Sequence, residues 1–282
     1  MTGSAPASGS GLARDLRLLG RAVAYEFQKV TAFRTGFVVQ ELLRGIERPV
    51  VLLFLFHAVY QVGGRDEVGG YSYADTVHYL LLIAFFEKLV FHDRGLDLSL
   101  QIFEGYVTKY LVMPMRYFVL PLGRWVQFVA LQVVVVPCLW GIGALALSGW
   151  WPLPVSGLAV LEALCLILLG SYCHLLLYFI LHSLAFWLDV VWSLLVMARF
   201  VTLFIGGAVL PVAMMPERVI DVLRWLFPYW TLAAPVELFL GHQGHADFGR
   251  GVLVLGASAI GLEIVRQLLW RAGIRRYSGS GM

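Results

Sequence analysis

Residues 198–230, ARFVTLFIGGAVLPVAMMPERVIDVLRWLFPYW, begin like a membrane-spanning helix and then break, with the breaking residues at Gly206, Gly207, Pro211 and Pro216. Non-helical backbone at membrane depth persists only where protein or a water-filled cavity satisfies its peptide groups. The stretch therefore predicts a helix that ends within the outer leaflet, a short amphipathic helix from Pro216, and a second short piece that returns toward Gly241. Together these form a re-entrant outer hairpin at about residues 206–241. The alternative is an ordinary amphipathic outer loop.

The composition of the whole chain agrees with a membrane protein. Its 282 residues are 60% hydrophobic and only 14% charged, and its mean hydropathy is +0.79, whereas a soluble domain carries about a quarter charged residues. The apolar residues collect in runs of the length that a spanning helix needs, about 20 residues, although the second run is shorter. The runs lie near 37–62, 76–92, 117–147, 155–181, 184–213 and 249–270. The sequence thus predicts an all-α polytopic membrane protein with six transmembrane helices.

The two ends of the chain differ from this six-span domain, which we place at residues 35–270. Residues 1–11 are small and polar and predict a disordered tail, and residues 271–282 form a basic tail. Between the first tail and the first span, residues 12–34 place apolar side chains at three- and four-residue spacing, with Arg and Lys mostly elsewhere. That pattern is typical of an amphipathic helix that lies on the membrane surface.

The positive charges predict the orientation, because Lys and Arg are retained on the cytoplasmic side of a membrane. Twelve of them lie in the amino segment, the joint between spans two and three, and the tail, against four in the opposite joints. Both termini are therefore expected in the cytoplasm, for a multi-pass protein of the bacterial inner membrane.

The joint between spans two and three runs from His92 to Phe118. At about residues 96–114 it combines an apolar surface with charges such as Glu104 and Lys109 that bar it from crossing the membrane. It predicts a short helix at the inner face that ends before Pro114. The composition leaves two interpretations open. The segment is either a solvated loop on lipid headgroups or a docking surface for a cytoplasmic partner.

Charges within the apolar runs need an explanation, since an ionisable group at mid-bilayer costs about 2.5–3.5 kcal/mol. Those of the first span lie three or four residues apart and can share one helix side, namely Glu41, Arg44, Glu47 and Arg48. Either this part of the helix lies in the inner headgroup zone, or it forms a polar wall toward a partner subunit or an internal path. Arg199 in the fifth run is expected to face protein rather than lipid.

Several stretches resemble the membrane subunits of ABC exporters of the type-2 permease class, and most closely a poorly characterised permease branch. They are VGGYSYADTVHYLLL, IFEGYVTKYLVMPM, GGAVLPVAMMPERVIDVLRWLFPYWTLAAPVELFLG and LLWRAGIRRYSGSGM. The resemblance implies six spans per subunit, two subunits side by side, an interface helix before span one and a re-entrant hairpin between spans five and six. It also implies that a cytoplasmic coupling helix docks onto an ATPase, with Glu104, Gly105, Tyr110 and Pro114 as the residues of that contact.

The chain itself contains no G-x-x-x-x-G-K-[ST] phosphate loop. As a permease it would not be an enzyme, and ATP and Mg²⁺ would be bound by separate nucleotide-binding subunits. We expect no cofactor or metal in this chain and no nucleic-acid partner; the partners are the ATPase, a second permease subunit, identical or related, and the lipid membrane. The alternative function is an ion- or proton-coupled secondary transporter. A membrane-embedded enzyme is a third class, but paired His and carboxylate sets are missing from the pattern.

Overall fold

The computed structural model of the chain describes residues 8–32, 50–91, 98–113, 116–146, 156–242 and 244–277. These residues are mostly helical, and the fold is all-α as predicted. The sheet within them is a single antiparallel pair, β1 (Glu67–Val68) and β2 (Tyr71–Ser72). The helices are α1 (Ser8–Ala32), α2 (Val50–Val62), α3 (Tyr73–Val90), α4 (Leu98–Phe103), α5 (Val107–Leu111), α6 (Val119–Ala146), α7 (Gly157–Ser183), α8 (Trp192–Ile205), α9 (Glu217–Leu223), α10 (Ala234–Leu240) and α11 (Ala246–Arg276).

Two of the described helices are long and apolar enough to cross a bilayer. They are α7 with its 3₁₀ extension, Gly157–Phe186, and α11. Shorter apolar helical stretches cover Val50–Val62, Val119–Val134 and Trp192–Ile205. By their length and composition these helices are consistent with an all-α membrane protein, while the count of six spans stays a prediction. The first helix begins at Ser8, four residues before the predicted start.

The centre of the bundle is α7, which packs against α3, α10 and α11. Small residues permit the closest approaches, as is common between membrane helices. A Cβ added at Gly251 of α11 would lie 3.0 Å from the Leu166 side chain of α7, and one added at Gly273 would overlap the ring of Phe186 in the extension of α7. The pair of α7 and α11 is therefore held together along most of its length.

The short hairpin before α3 is fixed by local chemistry. Its two-residue turn consists of Gly69 and Gly70, whose φ angles of 60° and 80° match the type I′ turn that joins tightly paired strands. Ser72 then caps α3 with a capping box, in which its hydroxyl accepts from the Asp75 amide at 3.2 Å and the Asp75 carboxylate accepts from the Ser72 amide at 3.1 Å. This geometry sets where Tyr71 points.

The amphipathic helix α1 packs along α6. At the contact, a Cβ on Gly123 would lie 2.9 Å from the Ala22 side chain, so the two helices approach closely. The Glu26 carboxylate accepts from Arg124 of α6 at 3.2 Å and from Lys29 at 2.9 Å. One face of α1 is thus attached to the bundle by packing and by an ion-pair network.

Candidate functional site

The docking segment, residues 98–113, consists of two short helices, α4 and α5, rather than the single helix expected. Gly105 separates them with a φ of 79°, a left-handed conformation that favours glycine. Leu98, Ile102 and Val107 are buried in a cluster with Phe179, Phe186 and other residues from the ends of α7 and α11. This apolar face attaches the docking segment to one end of the bundle.

Polar contacts fix the same segment in place. The His182 Nδ1 atom of α7 lies 3.0 Å from the Ser99 hydroxyl, and the Tyr117 hydroxyl donates to Gln101 at 2.9 Å. The segment is therefore coupled mechanically to α7 and to the start of α6.

The opposite face of the docking segment is exposed and apolar. Its exposed large side chains are Leu100, Phe103, Tyr106, Leu111, Val112 and Met113, with Val112 exposed by 80%. Glu104 is exposed at the turn. A contiguous exposed apolar patch with charges at its edge is typical of a protein contact site.

Two of the predicted contact residues, Tyr110 and Glu104, face different surroundings. The Tyr110 ring packs edge-on against Tyr117 with centroids 5.3 Å apart, and the Lys109 ammonium lies 4.7 Å from its centroid. Tyr110 thus helps to hold the docking segment on the bundle, whereas Glu104 faces outward. Pro114 lies outside the described residues.

The predicted break at Gly206 and Gly207 ends α8. Gly207 has a φ of 72°, and the amides of Gly207 and Ala208 donate to the carbonyls of Phe204 at 3.2 Å and Leu203 at 2.9 Å. This is the Schellman pattern of a helix end. The Gly207 carbonyl accepts from the Tyr79 hydroxyl of α3 at 3.1 Å, so protein satisfies the broken backbone.

The two prolines shape the segment that follows. Pro211 is buried and precedes a 3₁₀ turn at Val212–Met214, and Pro216 is the N-cap of α9. After α9, residues 228–238 are buried throughout. We call residues 206–241 the hairpin segment. It contains the two predicted short pieces, and its second piece lies inside the bundle against α3 and α7.

A polar cluster that the sequence analysis missed joins the hairpin segment to the loop before α3. The Glu237 cluster consists of Tyr71, Glu237 and His242. The Tyr71 hydroxyl donates to Glu237 Oε1 at 2.6 Å, and His242 Nδ1 lies 3.4 Å from Glu237 Oε2 and 3.2 Å from the Tyr71 oxygen. Glu237 is 7% exposed and Tyr71 2% exposed. Because a buried carboxylate is costly without partners, these contacts are what make its burial possible.

Backbone geometry brings the members of this cluster together. Gly241 adopts a φ of 74° at the end of α10, and the His242 amide donates to the Glu237 carbonyl at 3.0 Å, which folds His242 back over Glu237. On the other side, a Cβ at Gly69 would lie 2.8 Å from the Ala213 carbonyl oxygen. The β-hairpin turn therefore contacts the hairpin segment directly. A cavity of about 310 Å³ opens beside Tyr71, Glu237 and His242.

The cluster changes how its members titrate. The hydrogen bond to Glu237 raises the pKa of His242, with further contributions from the charges of Glu237 and Asp75. Burial raises the pKa of the Tyr71 hydroxyl, and the adjacent Glu237 carboxylate raises it further. The Tyr71 hydroxyl is thus a hydrogen-bond donor at physiological pH, and the imidazole can change charge near neutral pH.

His245, the second histidine of the stretch GHQGHAD at residues 241–247, makes a different contact from His242. His245 Nδ1 lies 2.6 Å from Glu162 Oε2 of α7, which ties the start of α11 to the start of α7. The three potential ligands His242, His245 and Asp247 do not converge on one point. Within the described part of the chain, no group of three or more His, Cys, Asp or Glu side chains is placed to hold a metal ion.

The remaining predicted site residues concern the charges within the apolar runs. Arg199 is exposed on α8, and its guanidinium lies 4.9 Å from the centroid of the Phe91 ring. The charges of the predicted first span lie outside the described residues, and these are Glu41, Arg44, Glu47 and Arg48.

Two sequence signals could have pointed to the Glu237 cluster. Glu237 is the one acid in the apolar stretch YWTLAAPVELFLG, and a glycine that ends a helix follows it four residues later. The GG dipeptide before Tyr71 is a short-range hairpin signal. Neither signal identifies the partner, because Tyr71 and Glu237 are 166 residues apart in the chain.

Comparison with known proteins gives the family. A search of curated proteins finds no match to this chain. The sequence model described as "ABC-2 family transporter protein" matches residues 47–281, which include the docking segment, the hairpin segment and the Glu237 cluster. This match confirms the resemblance to type-2 ABC permeases, and together with the apolar helices it makes the chain a membrane transport component. The chain therefore belongs to the ABC-2 transporter family.

Proposed function

We propose that this chain is the permease subunit of an ATP-driven exporter. Two permease subunits, identical or related, would lie side by side and enclose the substrate path. Nucleotide-binding subunits that bind ATP and Mg²⁺ would supply the energy. Family membership supports a transporter permease and gives no support to the alternative of an ion-coupled secondary transporter.

The observation that carries this proposal is the two-faced docking segment. Its buried face is fixed to α7, α6 and α11, and its other face presents exposed apolar residues around Glu104 and Gly105. An ATPase that binds this exposed face would transmit its closure to the bundle through the Ser99 and His182 contact. The twelve Lys and Arg residues of this joint, the amino segment and the tail, against four in the opposite joints, support placing the joint and both termini at the cytoplasmic face of a bacterial inner membrane.

The Glu237 cluster would serve at the opposite end of the same path. It joins the hairpin segment to the β-hairpin through Tyr71 and to α11 through the loop that holds His242. In this proposal the hairpin segment is the re-entrant element at the outer face, past which the substrate leaves. The buried hydrogen bonds keep it closed until the two permeases move apart.

The test is co-purification of the tagged protein in mild detergent from its native membrane. We expect an ATPase with a phosphate-binding loop to come with the wild type. Phe103→Asp places a charge in the exposed apolar face, where Phe103 is 43% exposed, and should abolish that association, because an unpaired charge buried in an interface is strongly unfavourable.

The matched control is Val62→Asp. Val62 is 86% exposed at the end of α2, outside the docking segment, so this variant introduces the same charge without touching the proposed contact. The ATPase should remain bound to it. Recovery of the ATPase with Phe103→Asp at the wild-type level would refute the assignment of the docking face, and a chain that purifies without any ATPase would refute the ATP-driven function.

A further inference from the structure

A second cavity lies at the end of the bundle that carries the docking segment, beside the contact of Tyr110 with Tyr117. Its volume is about 720 Å³, and it opens between α1, α5, the start of α6 and the end of α11. This size falls within the range of small-molecule sites, about 300–1,000 Å³. Its walls combine arginines, aromatic rings and leucines, so the occupant must match both polar and apolar surfaces.

The cavity lies where α11 leaves the apolar part of a membrane. The helix has 31 residues, or about 46 Å at 1.5 Å per residue, whereas the hydrocarbon core is about 30 Å thick. Its last two turns carry Arg271, Arg275 and Arg276, beyond the predicted span at 249–270, and are expected to reach the headgroup region. Trp270 stacks on Tyr117 there, with centroids 5.0 Å apart and planes at 20°. Tryptophan and tyrosine are enriched at this depth.

The charges that line the cavity favour an anion. Three arginines and two carboxylates face it. One arginine is compensated, because Arg266 donates to Glu263 at 2.7 Å and 2.5 Å and its guanidinium lies 3.9 Å from the Phe118 centroid.

The other two arginines are less compensated. Arg116 is 85% exposed at its side chain and lies 3.8 Å from Asp15, a separation at which an exposed pair contributes little. Arg271 is exposed and forms no ion pair with the residues that the structure describes. A net positive charge therefore remains at the opening.

The apolar part of the wall favours a lipid over a soluble anion. Leu16 and Leu19 of α1 and Leu122 of α6 line the cavity, and Leu16 is 60% exposed. A free phosphate has no apolar group that could contact this surface, whereas the glycerol and first methylenes of a phospholipid would cover it. Basic pockets between membrane helices near the cytoplasmic surface are the sites where anionic headgroups bind.

We infer that the cavity between α1, α5, α6 and α11 is a binding site for an anionic phospholipid. Arg116 and Arg271 contact its phosphate, and the leucines contact the upper part of its acyl chains. The lipid bridges the amphipathic helix α1 to the docking segment through Leu111, which also lines the cavity.

The test is native mass spectrometry of the purified full chain in detergent, titrated with phosphatidylglycerol or phosphatidylcholine. The wild type should bind phosphatidylglycerol more tightly than phosphatidylcholine, by about fivefold for each cationic contact. The double variant R116Q/R271Q should lower the affinity for phosphatidylglycerol about tenfold or more. It should lower the affinity for phosphatidylcholine much less, because the choline ammonium of that lipid offsets the charge of its phosphate.

Two variants separate a site from general attraction and from damage to the fold. R275Q/R276Q removes the same charge from exposed residues one to two turns away and should retain wild-type binding. D15N removes a negative charge from the cavity and should strengthen the binding of phosphatidylglycerol, an outcome that a damaged fold does not produce.

The opposite results overturn the inference. Equal losses in R116Q/R271Q and R275Q/R276Q would mean that surface charge alone attracts the lipid. Competition by glycerol phosphate at the same concentration as the lipid would mean that the ligand is a soluble phosphate. Melting of R116Q/R271Q in phosphatidylcholine shows whether this variant folds. If it does not fold, R271Q alone replaces it, because Arg271 is exposed. An unchanged affinity for phosphatidylglycerol in R271Q then overturns the inference.

Discussion

Removal of the Tyr71 hydroxyl in the variant Tyr71→Phe is expected to destabilise the protein at the junction of the β-hairpin and the hairpin segment. The hydroxyl donates to Glu237 Oε1 at 2.6 Å, and both side chains are buried. Phenylalanine fits the same space, so that the packing of the ring against Tyr79 and His242 is retained. The variant therefore removes the hydrogen bond to Glu237 and the 3.2 Å contact of the same hydroxyl with His242 Nδ1, and it leaves the ring packing in place.

The expected loss is about 2 kcal/mol, because a hydrogen bond to a charged group contributes about 1.5–3 kcal/mol. Glu237 keeps one partner in His242 at 3.4 Å, a longer contact that does not replace the lost donor. For a chain of this size, 2 kcal/mol corresponds to a fall in melting temperature of about 4–8 °C.

The assay is thermal unfolding of the purified protein in one detergent, followed by intrinsic fluorescence. Tyr25→Phe is the matched control. Tyr25 is 59% exposed on α1, so its hydroxyl is hydrated and its removal should leave the melting temperature unchanged. A double-mutant cycle adds Glu237→Gln, in whose background Tyr71→Phe should cost only about 1 kcal/mol, the value of a neutral hydrogen bond.

The reasoning fails if Tyr71→Phe melts within about 1 °C of Tyr25→Phe. It also fails if Tyr71→Phe costs as much in the Glu237→Gln background as in the wild type, since the tyrosine would then act independently of the carboxylate.

Of two further predictions, one concerns His242 in the Glu237 cluster and the other concerns the contact of Gly273 with Phe186. Glu237 raises the pKa of His242. The contribution of the charged imidazole to stability should therefore be fully present below the unfolded pKa of about 6.5 and be lost as pH rises through the higher folded value. The difference in melting temperature between the wild type and His242→Gln should shrink from pH 6 to pH 9, and a difference that grows with pH would contradict this. Gly273→Ala places a methyl group on the Phe186 ring and should cost about 1–3 kcal/mol in the same melting assay, whereas Gly256→Ala, where a Cβ meets nothing within 4 Å, should be neutral or stabilising.

Much of the hairpin segment could be predicted from sequence because its determinants are local. Gly207 takes a left-handed φ of 72°, which only glycine adopts without cost, and Pro216 has no amide hydrogen and stands where α9 starts. Each residue acts on its own backbone, so its position along the chain is sufficient. The split of the docking segment at Gly105 has the same local origin, although the apolar pattern on both sides of it suggested one helix.

The Glu237 cluster could not be predicted in the same way. Tyr71 precedes α3 and Glu237 lies in α10, 166 residues later, and no periodicity within either stretch relates them. The surroundings of the second piece of the hairpin segment could not be predicted from sequence either. Its apolar composition fits both lipid and protein surroundings, and only the packing against α3 and α7 shows that this piece is surrounded by protein.

The two ends of the proposed transport path are connected by α7. At one end, His182 contacts Ser99 of the docking segment at 3.0 Å, and at the other, Glu162 contacts His245 at 2.6 Å beside the loop that holds His242. Glu162 and His182 are 20 residues apart within α7, or about 30 Å along a continuous helix, and α7 packs against α11. A packed helix pair of this kind moves as a unit, because close-packed interiors do not deform continuously. In the proposed mechanism, a displacement of the docking segment would move α7 together with the hairpin segment that packs on it. The hydrogen bonds of the Glu237 cluster join that segment to the β-hairpin before α3, so they would resist this movement.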